Sequence, residues 1–460
     1  MPSEARRPST RSISSTTGSS LRRMALPRTP DEALDFLARL NPSVIKPGLE
    51  RMFVALEALG HPQRRYRSLH VAGTNGKGST CAFASTALSA AGHRVGLYTS
   101  PHLERVTERF QIDGAEIPRE LLGRRILEVL ERYPQAAGTP APLTYFEFGT
   151  AVAFWHFAQE GVEVAVLETG LGGRLDATNT VAPLVTAITP ISFDHMEYLG
   201  HTLGAIAGEK AGILKRGVPV IVSRQEPEAL ATIARAADEV GAPMVLEGRD
   251  FAWEQAADGA LVYRGVKWRL DGLTVSLRGP HQRQNASVAL AALEQLDSRG
   301  LSVSTEAAKA GLASARWPGR LEEVSRQPIV LLDGAHNPGG VAVLLASLDT
   351  LYPGRRIHAV FGVVADKDRA PMMRALFPRC ASIHLTPLDT PRSLAPERYL
   401  EEARALCADV RAHASLDAAL AGAQALAMEG DVVLCTGSLF LVGAARARFA
   451  RNLGAMQQRQ

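Results

Sequence analysis

His70-Val71-Ala72-Gly73-Thr74-Asn75-Gly76-Lys77-Gly78-Ser79-Thr80 places a glycine-rich turn between an apolar strand ending near Ala72 and a helix beginning around Lys77. Glycines let backbone N–H groups turn toward an anion without Cβ obstruction, the start of a helix adds partial positive charge, and Lys77 can reach outer phosphates. Ser79 or Thr80 then stands where a hydroxyl can touch a magnesium ion. The spacing departs from G-x-x-x-x-G-K-[ST], because Gly78 separates lysine from hydroxyl and Val71 stands where the first glycine would be. A turn of this kind can also be only a tight connection. The lysine and the hydroxyls favour the phosphate cradle.

Outward from that turn, strand and helix alternate. A helix to about residue 91, a strand at 94–99 and Ser100-Pro101-His102 follow, then hairpin chemistry at 111–117 and a helix at 121–132. Leu143-Thr144-Tyr145-Phe146-Glu147 leads into an apolar helix. The near-continuous apolar run 162–167 reads as a strand covered on both faces and delivers Glu168 at its end. The polar loop 170–179, a second buried strand at 184–189 and Asp194-His195 come next. This alternation predicts an α/β fold with a mostly parallel sheet, its polar clusters gathered at the strands' carboxyl ends. Before the cradle, 31–40 and 48–59 carry helical spacing.

The pattern changes at 251–277 to short alternating runs with Asp-Gly turns, an antiparallel appendage, and helix resumes at Asn285. The helical pattern breaks around Arg316-Trp317-Pro318-Gly319-Arg320. A new βα series starts with a strand at 329–332 and continues through 357–364, 382–385 and 432–436, a smaller Rossmann-like unit without G-x-G-x-x-G. The expected division is therefore a disordered extension 1–24, a P-loop ATP-binding unit 25–316 and a C-terminal Rossmann-like unit 317–460.

The chain has 460 residues and a net charge of +4, but residues 1–28 alone hold six arginines and one glutamate, which leaves the remainder at −1. A folded basic face for nucleic acid is not expected. The Ser/Arg-rich opening lacks the apolar core of a secretory signal, and no apolar run is long enough to span a membrane. An organelle transit peptide shares its composition, and Met24 is an alternative start. Cys81, Cys380, Cys407 and Cys435 lie far apart without a C-x-x-C pair, which fits a reducing cytoplasm rather than a disulfide framework.

Glu168 and His195 supply one carboxylate and one imidazole on the cradle's edge, a plausible magnesium pocket, although each alone reads equally as a polar group at a strand end. Asp333-Gly334-Ala335-His336-Asn337-Pro338 opens a helix of the second unit, either as a ligand edge or as a capped turn. Arg320 reads equally as a phosphate clamp or a hinge charge. In 203–214, counting by three, four and seven from Leu203 puts Lys210 on the apolar face with Ile206, Ala207, Ile213 and Leu214, so its pKa should fall.

The cradle, Thr99-Ser100-Pro101-His102, Leu143-Thr144-Tyr145-Phe146-Glu147, 170–179, Asp194-His195, Glu209-Lys210-Ala211-Gly212-Ile213 and Asp333-Gly334-Ala335-His336-Asn337-Pro338 together resemble bacterial dihydrofolate synthase/folylpolyglutamate synthase, of the Mur ligase superfamily. The similarity runs from about residue 30 to the C-terminus. It implies an ATP-dependent amide ligase that phosphorylates the carboxylate of dihydropteroate or a reduced folate and lets L-glutamate attack the acyl phosphate. It implies ATP and Mg2+ as cofactors, with K+ a further candidate; a monomer is expected, and composition and the lack of a long apolar run add no nucleic-acid or membrane partner.

Residue by residue, the resemblance gives Gly76, Lys77, Gly78, Ser79, Asn285, Arg320 and Asp333 to ATP. Ser100, Glu168, His195 and Lys210, the last as a carbamate, go to the metal. Lys77, Lys210 and His336 go to catalysis, and Val44, Ile45, Lys46, Pro47, Leu143, Thr144, Arg174, Leu175 and Asp176 to the pterin. Lys46 departs from the pattern, since an acid is expected there. A superfamily ligase of cell-wall precursors would need a separate N-terminal domain, and only about 40 residues separate Met24 from the first strand. A catalytically silent nucleotide-binding protein should have lost Glu168, His195 or Lys210. Lys77→Ala is expected to stay folded, by circular dichroism, while ATP-driven ligation falls by about two to three powers of ten.

Overall fold

The computed structural model describes residues 26–41, 44–137 and 143–457, so the expected disordered extension 1–24 lies outside the described residues. The glycine-rich turn sits at the middle of a sheet of eight strands: β1 (Arg67–Ala72), β2 (Val95–Tyr98), β3 (Phe110–Ile112), β4 (Ala115–Glu116), β5 (Val164–Glu168), β6 (Val185–Ile188), β7 (Val220–Val222) and β8 (Met244–Leu246). The order is β4-β3-β2-β5-β1-β6-β7-β8, parallel from β2 to β8, with the β3–β4 hairpin antiparallel at one edge. Register brings the polar strand ends together. Val71 stands level with Glu168 and Ala72 with Ile188, so the ends of β5, β1 and β6 open on one edge beside the glycine turn.

Every residue of β5 is buried, as a strand with helices on both faces requires. Ala165 and Leu167 join the core built on the helix Tyr145–Gln159, whereas Val164 and Val166 join the core of the helices Lys77–Ala90 and His281–Ser298. The period of two assigns successive side chains to opposite layers. A three-stranded antiparallel sheet, β9 (Ala252–Gln255), β10 (Leu261–Arg264) and β11 (Arg269–Leu273), packs on the second of these layers.

The second sheet contains β12 (Glu322–Arg326), β13 (Ile329–Leu332), β14 (Ile357–Phe361), β15 (Ser382–Leu385), β16 (Val410–Ala412) and β17 (Val432–Thr436), ordered β12-β13-β17-β14-β15-β16. All neighbours are parallel except β12 and β13. A buried chain of polar groups fastens its core: His358 joins Asp431 (3.2 Å) and Ser382 (2.8 Å), Ser382 joins His384 (3.0 Å), and His384 joins His413 (3.0 Å). The carboxylate can only accept, so His358 donates to it from Nε2.

Several elements differ from the sequence expectation, which placed none of β7, β8 and the helix Pro227–Val240. The helix expected from Asn285 begins at His281. Its first turn, His281-Gln282-Arg283-Gln284, is polar and shows no apolar period. β12 is a half-buried edge strand of Glu, Ser and Arg around Val324 that reads as a linker, and β16 has three residues, too few for a pattern. Among the described residues no helix is long and apolar enough to cross a membrane.

The helix that leaves the cradle is held by backbone proximity. A Cβ on Gly311, in the helix Thr305–Ser314, would lie 2.4 Å from Cα of Ala87. Gly311→Ala should therefore lower stability by about 1–3 kcal/mol, despite alanine's better helix propensity, as a shift in the urea midpoint.

Candidate active site

The turn after β1 is shaped by contacts that exclude side chains. Gly76 has φ +88°, and a Cβ there would lie 2.3 Å from Oδ1 of Asn285; one on Gly73 would meet the Thr189 hydroxyl at 1.9 Å; one on Gly78 would meet the Trp317 indole nitrogen at 2.7 Å. Gly78, the residue that breaks the common spacing, is thus where the indole edge rests. Asn285 is buried beneath the turn and donates to Gln282 (2.9 Å).

Two ammonium groups attach to this turn. Lys77 Nζ donates to the Thr74 carbonyl (3.3 Å), and Lys210 Nζ donates to the Gly73 carbonyl (2.7 Å). Lys210 lies on the inward face of the helix Leu203–Ala211, and burial, with the charge of Lys77 added, lowers its pKa to about 7. Glu168 is buried, accepts from the Ser100 N–H (3.1 Å) and lies 3.8 Å from Lys77. Burial raises its pKa, against the pull of Lys77. Thr80, one turn into the helix, keeps a buried hydroxyl without a hydrogen-bond partner.

The second sheet supplies the opposite wall. Asp333 is buried, with its carboxylate accepting from the N–H groups of Leu321 (3.0 Å) and Ala335 (2.9 Å), and burial raises its pKa against the charge of Arg320. The Arg320 guanidinium lies over Gly334, where a Cβ would stand 2.1 Å from Nη1. Asn337 caps the helix Pro338–Leu351 through Oδ1 (2.7 Å to the Gly340 N–H), and its Nδ2 donates to Asn75 of the cradle (3.1 Å) and to Asp194 (3.1 Å). His336 donates from Nδ1 to the Gly334 carbonyl (2.7 Å) and turns Nε2 to within 3.7 Å of Asp194.

Asp194 is therefore the point where the two sheets meet. Lys367, from the loop after β14, approaches it to 2.5 Å and lies 3.3 Å from Nε2 of His195. Burial pushes the Asp194 carboxyl up, but Lys367, His195 and His336 outweigh it and hold the carboxyl well below the usual range. Burial and Lys367 lower His195 to about 4, and burial lowers His336 to about 4, so both rings are neutral near pH 7.

The expected pterin residues lie on two separate stretches, 44–47 with 143–144, and the loop of Arg174, Leu175 and Asp176 beside Lys210. Arg51 pairs with Glu147 (2.7 Å) and donates to the Lys46 carbonyl (2.5 Å), and Glu147 accepts from the Thr144 N–H (2.7 Å). One ion pair thus brings the loop of Val44, Ile45, Lys46 and Pro47 to the turn of Leu143 and Thr144. Asp176 faces inward and accepts from the N–H groups of Gly170, Leu171 and Thr178 and from the Thr178 hydroxyl, which fixes the glycine-rich loop. Arg174 pairs with Glu209 on the surface (2.7 Å), and Leu175 is exposed.

Residues 71–293 match the Mur ligase middle domain, and residues 319–439 match the glutamate ligase domain of Mur ligases. The dihydrofolate synthase/folylpolyglutamate synthase of Bacillus subtilis (strain 168) is 41% identical over 366 residues, covering 77% of this chain and 84% of that protein. This chain belongs to the same family of Mur ligases. It is accordingly an ATP-dependent ligase. Escherichia coli FolC in complex with DHPP and ADP superposes with a TM-score of 0.84 at 36% identity, over 92% of this chain and 98% of that one. The bifunctional folylpolyglutamate synthase/dihydrofolate synthase of Yersinia pestis, complexed with AMPPNP and Mn ion, gives 0.81 at 34% identity, over 92% and 98%.

Within this Mur ligase site, sequence reasoning missed Lys367 and Arg51; Asn75 and Asn337 stood in the motifs it singled out, Asn337 with a helix cap as one of its readings, but their pairing was not foreseen. The available signal for Lys367 was a charged run, Ala365-Asp366-Lys367-Asp368, close after an apolar strand at a sheet's carboxyl edge. Among the described residues no three His, Cys, Asp or Glu side chains converge to hold an ion unaided. The donors present, one buried carboxylate and one neutral imidazole, suit a divalent ion that shares its shell with phosphate oxygens.

Lys210 gives a pH test. Its folded pKa lies near 7, below the ordinary 10.5, so between these values the unfolded chain binds more protons and stability rises with pH. In CO2-free buffer, wild type should gain stability relative to Lys210→Met between pH 7 and pH 9 in urea titrations.

Proposed function

We propose that this protein joins L-glutamate to the carboxylate of dihydropteroate, of reduced folates, or of both, in the cytoplasm and as a monomer without nucleic-acid or membrane partners. The observation that carries this reading is the meeting, at the glycine-rich turn, of Lys77 and Lys210 on its carbonyls with Asn337 of the second sheet on Asn75, beside Asp194, which His336 approaches from that sheet. A carboxylate is a poor acyl donor until one oxygen becomes a phosphate leaving group, and such a site can stabilise the charge moved in that exchange.

In this reading Gly76, Lys77, Gly78 and Ser79 hold the phosphates of ATP, and Asn285, Arg320 and Asp333 contact the same nucleotide from behind the turn and from the opposite wall. The units 25–316 and 317–460 each supply half of the site. Ser100, Glu168 and His195 bind Mg2+, with Lys210 joining them as a carbamate, since its lowered pKa leaves a neutral amine able to add CO2. When bound, the metal ion draws off negative charge from the transferred phosphoryl group. Lys77 does the same from the turn.

His336 reaches the site with Nε2 as its lone-pair nitrogen and can accept a proton there. The pterin side is assigned to Val44, Ile45, Lys46, Pro47, Leu143, Thr144, Arg174 and Leu175. Asp176 acts by holding that loop's shape. Lys46, where an acid is expected, places a cation at the pterin loop.

The deciding experiment is phosphate release from ATP with glutamate, comparing dihydropteroate with tetrahydrofolate as acceptor. Release is expected to require glutamate and at least one of the two acceptors. Release that ignores both acceptors would overturn the reading.

A further inference from the structure

Lys367 takes no part in the proposed ligation, yet its side chain is only one-tenth exposed and reaches across from the second sheet to the first. Its ammonium stands 2.5 Å from Oδ1 of Asp194 and 3.3 Å from Nε2 of His195. An ammonium carries three donors and no lone pair, so at this contact Nε2 is the acceptor nitrogen of the ring. A cation coordinated through Nε2 needs that same lone pair. One lone pair cannot serve an N–H donor and a metal together.

We propose that Lys367 competes with a divalent cation for Nε2 of His195, so that metal coordination there displaces Lys367 and its loop from the ring. This rests on the reading of His195 as a metal ligand. The remaining ties between the sheets do not pass through Lys367: Asn337 donates both to Asp194 and to Asn75. The second sheet therefore stays docked while the lysine leaves, and Lys367 acts as a positioning residue that links the loop after β14 to metal occupancy.

The test is Mn2+ affinity of the full chain at fixed ADP, read from the EPR signal of free Mn2+, for wild type, Lys367→Met, His195→Gln and the double variant. Lys367→Gln replaces Lys367→Met if the latter melts early. Loss of one charged hydrogen bond to Nε2 should tighten Mn2+ binding by about tenfold in the wild-type background. It should leave affinity unchanged in the His195→Gln background.

Equal tightening in both backgrounds would mean that Lys367 acts only through long-range charge, and the competition is overturned. Unchanged or weaker binding in Lys367→Met overturns it as well. If His195→Gln alone leaves Mn2+ affinity untouched, the assignment of His195 as a ligand fails, and the competition fails with it.

Discussion

The hydrogen bonds from two lysines to adjacent carbonyls of one turn, Lys77 to Thr74 and Lys210 to Gly73, are the constraint around which the molecule is arranged. Like charges in a poorly solvated place repel, and both are costly to desolvate. The protein answers in two ways. It lowers the pKa of Lys210 to about 7, and it brings Glu168 to the end of β5 beside Lys77. The register of β5 on β1 is therefore an electrostatic matter as much as a packing one, because a slip of one residue would turn Glu168 to the opposite face.

Asp194 extends the same logic to the second sheet. It gathers Lys367, Asn337 and His336 from that sheet and His195 from its own. With Lys367, the Asn337 amide and the His195 backbone N–H donating to it, the carboxylate stays ionised despite burial, so the junction is a paired anion rather than an apolar seam. Such a junction is sensitive to added charge. Anionic phosphates or a divalent cation arriving at the cradle would change its balance, whereas an apolar interface would be indifferent to them.

Glycine use follows from crowding around the cradle. Gly76 meets Asn285, Gly73 meets Thr189 and Gly78 meets Trp317, so the unusual spacing of the motif reflects what is packed behind each position. The same reasoning separates the residues proposed for the pterin by kind. The Asp176 carboxylate is filled by backbone and hydroxyl donors and acts through the loop's shape, while Arg51, unmarked in sequence, pairs with Glu147 and holds two distant segments together.

Much was determined by sequence alone. Continuous apolar runs ending in Glu168 and near His195 required buried parallel strands, because only strands covered on both faces are apolar throughout, and the carboxyl edge of such a sheet is where polar ends collect. The inward face of Lys210 followed from a helical period. What the tertiary structure decided was pairing across long separations: Lys367 on Asp194, Asn337 on Asn75, and Trp317 on Gly78. Periodicity reports which side of its own element a residue occupies, but not which element stands opposite. A polar edge strand such as β12 carries no burial period at all, so its place was decided by partners distant in sequence: the backbone of β13, Arg446 on Glu322, and Arg278 with Tyr352 on Glu323.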